Sequence, residues 1–145
     1  MRIYLDNCCF NRPFDSQTNI RVKLETDAKL YVQSLIKIKK IELAWSYILD
    51  FENAANPFFE RKSTIEKWKH LSIIDIVEND VVLSRANDFA QLGIKAKDAL
   101  HVACAMETGC EYFLTTDYFL QKRLQNNSDI KILNPIEFIK IIEEL

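Results

Sequence analysis

Apolar and polar positions change period several times along the chain, and each change marks an element. Ile3-Tyr4-Leu5 is a short unbroken apolar run closed by Asp6-Asn7, the pattern of a buried strand. Arg12-Pro13-Phe14-Asp15 breaks the pattern and reads as an irregular loop. Over 20–39, Leu24, Ala28, Tyr31, Leu35 and Ile38 recur at spacings of four and three, which predicts a long helix with one apolar stripe. Residues 41–48, rich in β-branched and aromatic side chains, predict a second strand, and a short helix follows over 49–55. Asn56 as cap and Pro57 as first helical residue open the next helix, which runs toward His70.

The alternation continues. Residues 72–77 predict a third strand, and a helix over 80–92 is stopped by Gly93. From Asp98 to Glu107 the chain is apolar nearly all round a helix, so that helix must be buried on several sides. Residues 112–115 and 130–133 predict the fourth and fifth strands. Asn134 as cap, Pro135 in the first turn and Glu137 three residues past the cap announce a last helix, with Phe138, Ile141 and Leu145 inward. Strands alternating with helices predict an α/β sandwich on a mostly parallel sheet. Two glycines and three prolines in 145 residues leave no room for a linker, so residues 1–145 read as a single domain.

An open parallel sheet binds its ligands beyond the carboxyl ends of its strands. Asp6 follows strand 1, Glu52 lies just past strand 2, Asp98 opens the buried helix and Asp117 follows strand 4 after Thr115-Thr116. All four acids can therefore meet on one edge. Singly, Asp98 and Asp117 read equally well as helix caps and Glu52 as a solvated surface acid; their joint placement points further. Four carboxylates repel one another and invite a hard cation such as Mg²⁺ or Mn²⁺. Such a cation acidifies water and stabilises a leaving oxygen, which is the chemistry of phosphodiester cleavage.

These residues resemble the PIN domains, including the VapC-type toxins of toxin–antitoxin pairs, over essentially the whole chain. The resemblance rests on Ile3-Tyr4-Leu5-Asp6-Asn7, Asp50-Phe51-Glu52-Asn53, the run from Lys97-Asp98-Ala99-Leu100-His101 to Ala105, and Phe113-Leu114-Thr115-Thr116-Asp117. It implies a three-layer α/β/α fold with five strands in order 3-2-1-4-5, which sets Asp6 beside Asp117. It implies Mg²⁺ or Mn²⁺ as cofactor, RNA as substrate, a homodimer and a small antitoxin protein as partner. It carries the catalytic, metal-holding role onto Asp6, Glu52, Asp98 and Asp117, with Thr115 as a supporting hydroxyl. Asn7 is placed to orient a metal-bound water, and Arg12, Lys95 and Lys97 to meet a phosphate backbone. Tyr118-Phe119 stand where many members carry a further acid, and the stretch 7–14 departs from the commoner toxin opening.

Composition narrows the alternatives. A net charge of −2 from 19 basic and 21 acidic side chains lacks the basic excess of most nucleic-acid binders. Basic residues nevertheless cluster at 37–40, 61–62, 67–70 and 122–123. The four cysteines show no metal-ligand spacing and read as free thiols in a reducing compartment. No apolar run spans a bilayer and the start does not read as a signal peptide, so the expected location is the cytoplasm. A phosphoacceptor receiver needs an acid pair after strand 1 and a lysine after strand 5, and a haloacid-dehalogenase-like phosphatase needs Asp-x-Asp after strand 1. Neither pattern is present. The remaining competitor is a non-catalytic PIN-like module that binds RNA or a protein.

Overall fold

The computed structural model describes all residues from Met1 to Leu145. Five strands form one parallel sheet in the order β3-β2-β1-β4-β5, as the resemblance implied. They are β1 (Arg2–Leu5), β2 (Glu42–Ser46), β3 (Ile74–Ile76), β4 (Tyr112–Leu114) and β5 (Lys131–Leu133). Ile3, Tyr4 and Leu5 of β1 are fully buried, as an apolar central strand covered on both faces must be. The eight helices are α1 (Asn7–Asn11), α2 (Ile20–Lys37), α3 (Tyr47–Ala54), α4 (Phe59–Leu71), α5 (Asp80–Gln91), α6 (Ala96–Glu107), α7 (Tyr118–Arg123) and α8 (Pro135–Ile142).

Local chemistry sets the boundaries that matter for the sheet edge. β2 stops at Ser46 because the Ser46 hydroxyl accepts the Leu49 N–H at 3.3 Å, so α3 begins at Tyr47, earlier than the apolar run suggested. α5 ends where Gly93 takes φ +84°, a left-handed position free of strain only for glycine. α6 buries Ala99, His101, Val102, Ala103, Cys104 and Ala105, in keeping with its all-round apolar pattern.

Several expectations are corrected. Residues 7–11 form a helix, capped by Asp6, and a short 3-10 turn over Arg12–Phe14 replaces the irregular loop. Helix α4 starts at Phe59 and lacks a side-chain cap; Asn56 instead accepts the Phe58 N–H, making a turn around Pro57. Of the three inward candidates of the last helix only Phe138 is buried; Ile141 is 44% exposed, and Leu145, beyond the end of α8, is 86% exposed. The stripe of α2 is displaced by one position, about 100° on a helix of 3.6 residues per turn. Glu25, Ala28, Lys29, Val32 and Ile36 are buried, whereas Leu24, Tyr31 and Ile38 face outward. Polar ties outweigh the apolar stripe here: buried Glu25 accepts hydrogen bonds from Arg12 beside α1 and from Asn134, the cap of α8.

Candidate active site

Asp6 is placed by the centre of the sheet. Its N–H donates to Leu114 O at 2.9 Å, extending the β1–β4 ladder, and its Oδ1 accepts the Asn7 N–H at 2.8 Å as α1 begins. Its Oδ2 accepts the Thr115 hydroxyl at 2.7 Å and the Cys8 thiol at 3.4 Å. The same Thr115 oxygen accepts the Asp117 N–H at 3.1 Å, so one buried hydroxyl ties two of the acids together. Asp117 also caps α7, accepting the Leu120 N–H at 3.2 Å. The cap reading and the cleft reading of Asp117 hold together, because a carboxylate has lone pairs for both.

Asp6, Glu52, Asp98 and Asp117 line one open cleft of about 390 Å³, together with Asn7, Cys8, Asn11 and Asp15. Asp15 is a fifth acid at this cleft, bound on its other side by Arg12 at 3.1 Å. A slightly larger cleft of about 430 Å³ lies between α2 and α4; its lining is half apolar and carries no carboxylate. Asp98, in the first turn of α6, is half-buried, and desolvation with the charges of Asp6 and Asp117 pushes its carboxyl up to about 6. The charges that add to burial here come from acids lining the same cleft.

Glu52 is held differently. Burial works to raise its carboxyl, but the hydrogen bond and charge of His101, then Lys97 and Asn7, outweigh it and leave the group below its ordinary value. His101 is fully buried on α6, with Nε2 on Glu52 Oε1 and Nδ1 2.6 Å from the Tyr4 hydroxyl. The Tyr4 oxygen is in turn 2.6 Å from Ser46 Oγ. An ionised Glu52 only accepts, so Nε2 carries a proton toward it, while Nδ1 and Ser46 Oγ share the Tyr4 hydroxyl. Three elements thus hold one carboxylate: β1 through Tyr4, the end of β2 through Ser46, and α6 through His101. The His101 Nε2 also lies 4.0 Å from Asp6 Oδ1. The sequence offered only the one-turn spacing of His101 from Asp98; Tyr4 and Ser46 looked like ordinary strand residues.

Other singled-out residues fall around this centre. Asn7 donates to Glu52 at 3.0 Å. Lys95 and Lys97 are exposed, and Lys97 Nζ stands over the Phe51 ring at 5.6 Å. Arg12 is turned inward to buried Glu25, at 2.8 and 3.0 Å, and to Asp15, so its guanidinium serves an internal network.

The donor set suits a hard divalent cation. Carboxylate oxygens would hold it, and a bound cation would offset the charges of Asp6 and Asp117 that add to burial in lifting Asp98. No three His, Cys, Asp or Glu side chains stand as a ready-made cage. The protein's own hydrogen bonds occupy part of three of the four carboxylates: Thr115 and Asn7 on Asp6, His101 and Asn7 on Glu52, the α7 backbone on Asp117. Each ionised carboxylate keeps lone pairs beyond these bonds, which would be available to a cation. No helix is long and apolar enough to cross a membrane.

No protein-family model matches the chain, and no curated protein matches it. Solved structures do. VapBC-1 from nontypeable Haemophilus influenzae is 16% identical, with a TM-score of 0.58 over 93% of this chain and 98% of that one. VapBC2 from Rickettsia felis, bound to a DNA fragment from their promoter, is 15% identical, with a TM-score of 0.57 over 92% and 98%. At such identities the likeness speaks for the fold. With five parallel strands in order 3-2-1-4-5 and acids at their exits, this chain has a PIN-like α/β fold.

Proposed function

We propose that this chain is a metal-dependent endoribonuclease whose site is built from Asp6, Glu52, Asp98 and Asp117, with Mg²⁺ or Mn²⁺ as cofactor. One observation carries the reading: four acids from four segments line a single cleft, where burial together with the charges of Asp6 and Asp117 raises Asp98 to about 6. A protein has little reason to hold such repulsion except to bind a cation, because strongly perturbed groups in clefts gather at functional sites. When bound, the cation supplies an acidified water near neutral pH and positive charge for the leaving oxygen. Thr115 and the Asn7 backbone keep Asp6 oriented, and His101 with Asn7 fixes Glu52, which acts as a ligand or takes the proton of the attacking water. The likeness to VapBC structures supports a role in a toxin–antitoxin pair with a small antitoxin protein as partner, while a homodimer as the working form rests on the resemblance to PIN domains alone.

The test is cleavage of a panel of structured and single-stranded RNAs in Mg²⁺ and Mn²⁺, with a chelator control and Asp6→Asn purified in parallel. The expected result is metal-dependent cutting that falls on the order of 10³-fold in Asp6→Asn, about 4 kcal/mol of transition-state stabilisation. Equal cutting by both proteins would remove the catalytic role.

His101 is a positioning residue in this scheme. His101→Phe frees Glu52 and removes the imidazole partner of the Tyr4 hydroxyl, so Mn²⁺ affinity is expected to fall about 10- to 100-fold by calorimetric titration. An unchanged affinity would limit His101 to a structural part.

A further inference from the structure

The cleft of about 430 Å³ between α2 and α4 carries polar groups that the protein leaves unmatched. Lys29, Gln33 and Lys37 follow one another at spacings of four along α2 and share one face of it. Lys29 and Gln33 both line the cleft and are each only 4% exposed. Gln33 Nε2 is buried without a hydrogen-bond partner. Lys29 has no carboxylate to pair with. Glu25, one turn before it, is held by Arg12 and Arg21, and no acid lines the cleft. The Lys29 Nζ stands 5.7 Å from the centre of the Phe10 ring, a contact that serves one side of the ammonium only.

Two ordinary readings fall short. A lysine that lends its stem to a core normally places its head in water, whereas Lys29 is covered almost completely. A trapped water meets hydrogen bonds but brings no counter-charge. Burial lowers the Lys29 ammonium to about 8, so near pH 7 it keeps its charge and the cleft lacks the matching anion. Lys37 and Lys67 add two further cations to the lining. The rest of the wall is different in kind: Phe10, Phe14, Ile65 and Trp68 supply apolar and aromatic surface. An apolar recess of about 300–1,000 Å³ with a few convergent polar groups is the usual form of a small-molecule site. The two buried donors match the two oxygens of a carboxylate. A phosphate would press a further charge against apolar walls.

We propose that this cleft binds a small free acid, one carboxylate carried on an aromatic or branched apolar body. The carboxylate sits on Lys29 Nζ and Gln33 Nε2, and the body lies against Phe10 and Trp68. The site is separate from the acid cleft, and its test is independent of nuclease activity.

The experiment titrates the full chain by calorimetry with three probe acids: hydrocinnamate, indole acetate and isocaproate. Acetate, which has the charge without the body, and hydrocinnamamide, which has the body without the charge, serve as controls. Heteronuclear NMR follows the Trp68 indole N–H and the α2 amides to locate the binding. At least one probe acid is expected to bind saturably and move these signals. The neutral amide and acetate should bind on the order of tenfold more weakly, or worse. Lys29→Met, of similar volume, should weaken the acid ten- to hundredfold, roughly the worth of one charge-assisted hydrogen bond, and erase its advantage over the amide. Gln33→Leu should cause a smaller loss, with circular dichroism to confirm folding of both variants. No saturable binding by any of the three acids would overturn the inference. Equal binding of hydrocinnamate and its amide would also overturn it, and that comparison uses the wild type and needs no variant. So would a Lys29→Met protein that binds as tightly as its parent, or NMR shifts confined to the acid cleft. Binding by a longer acidic peptide alone would give the cleft to a protein partner and sink the proposal as well.

Discussion

Asp98→Asn is expected to make the metal-free protein more stable near neutral pH while lowering RNA cleavage on the order of 10³-fold. Burial and the charges of Asp6 and Asp117 raise the Asp98 carboxyl to about 6 from an ordinary 3.8. A group whose folded pKa is raised favours the folded state at low pH and loses that contribution as pH climbs through the folded value. The loss therefore runs between about pH 4 and 6, and above it the folded protein carries the full repulsion. Two units correspond to about 3 kcal/mol at most, and solvent screening of a half-buried group reduces this to about 1 kcal/mol. Asparagine has the shape without the charge. Thermal melts in chelator should match at about pH 4 and diverge near pH 7.5, the variant melting about 2–4 °C higher. A variant that melts lower at every pH would mean that Asp98 is not held against its neighbours.

The largest expected loss of stability comes from Glu25→Ala. Glu25 is fully buried on α2 and gathers Arg12 at 2.8 and 3.0 Å, Arg21 at 3.4 Å and the Asn134 side chain. It thereby joins α2 to the turn after α1 and to the cap of α8. Removing one partner of a buried pair leaves the other charge uncompensated, which costs about 3–5 kcal/mol. For a chain of this length that lowers the melting temperature by on the order of 10 °C. Glu25→Gln, which keeps an acceptor, should lose less. Denaturant melts of both variants and of Arg12→Ala decide the matter: additive losses for Glu25→Ala and Arg12→Ala together would show that the two do not act as a pair.

How legible these features were depends on the reach of the interactions behind them. Each strand is an apolar run with a polar stop; Asp6 and Asp117 sit at such stops, Glu52 lies on the helix after one, and Asp98 opens a buried helix. Asp6 after Leu5 and Asp117 after Thr116 could therefore be picked out locally. The strand order was not visible in the spacing and came from the resemblance to PIN domains. Helix α2 misled because Arg21, Glu25 and Lys29 follow one another at spacings of four, as a solvated face would. The residues that bury Glu25 are 13 and 109 positions away. The Ser46–Tyr4–His101–Glu52 chain was hidden for the same reason, since its members come from four separate elements. Helix α1 depends on Asp6 acting as a cap, a second duty for a residue already marked as an acid of the site.

The most direct test of the account joins occupancy to rate. Mn²⁺ is titrated into one protein preparation, with single-turnover cleavage of a defined single-stranded RNA and the Mn²⁺-induced rise in melting temperature followed together. The account predicts that both rise over the same Mn²⁺ range, and that Asp6→Asn and Asp98→Asn lose both. Cleavage that is indifferent to Mn²⁺, or that persists in the variants after their metal-induced stabilisation has gone, would contradict it.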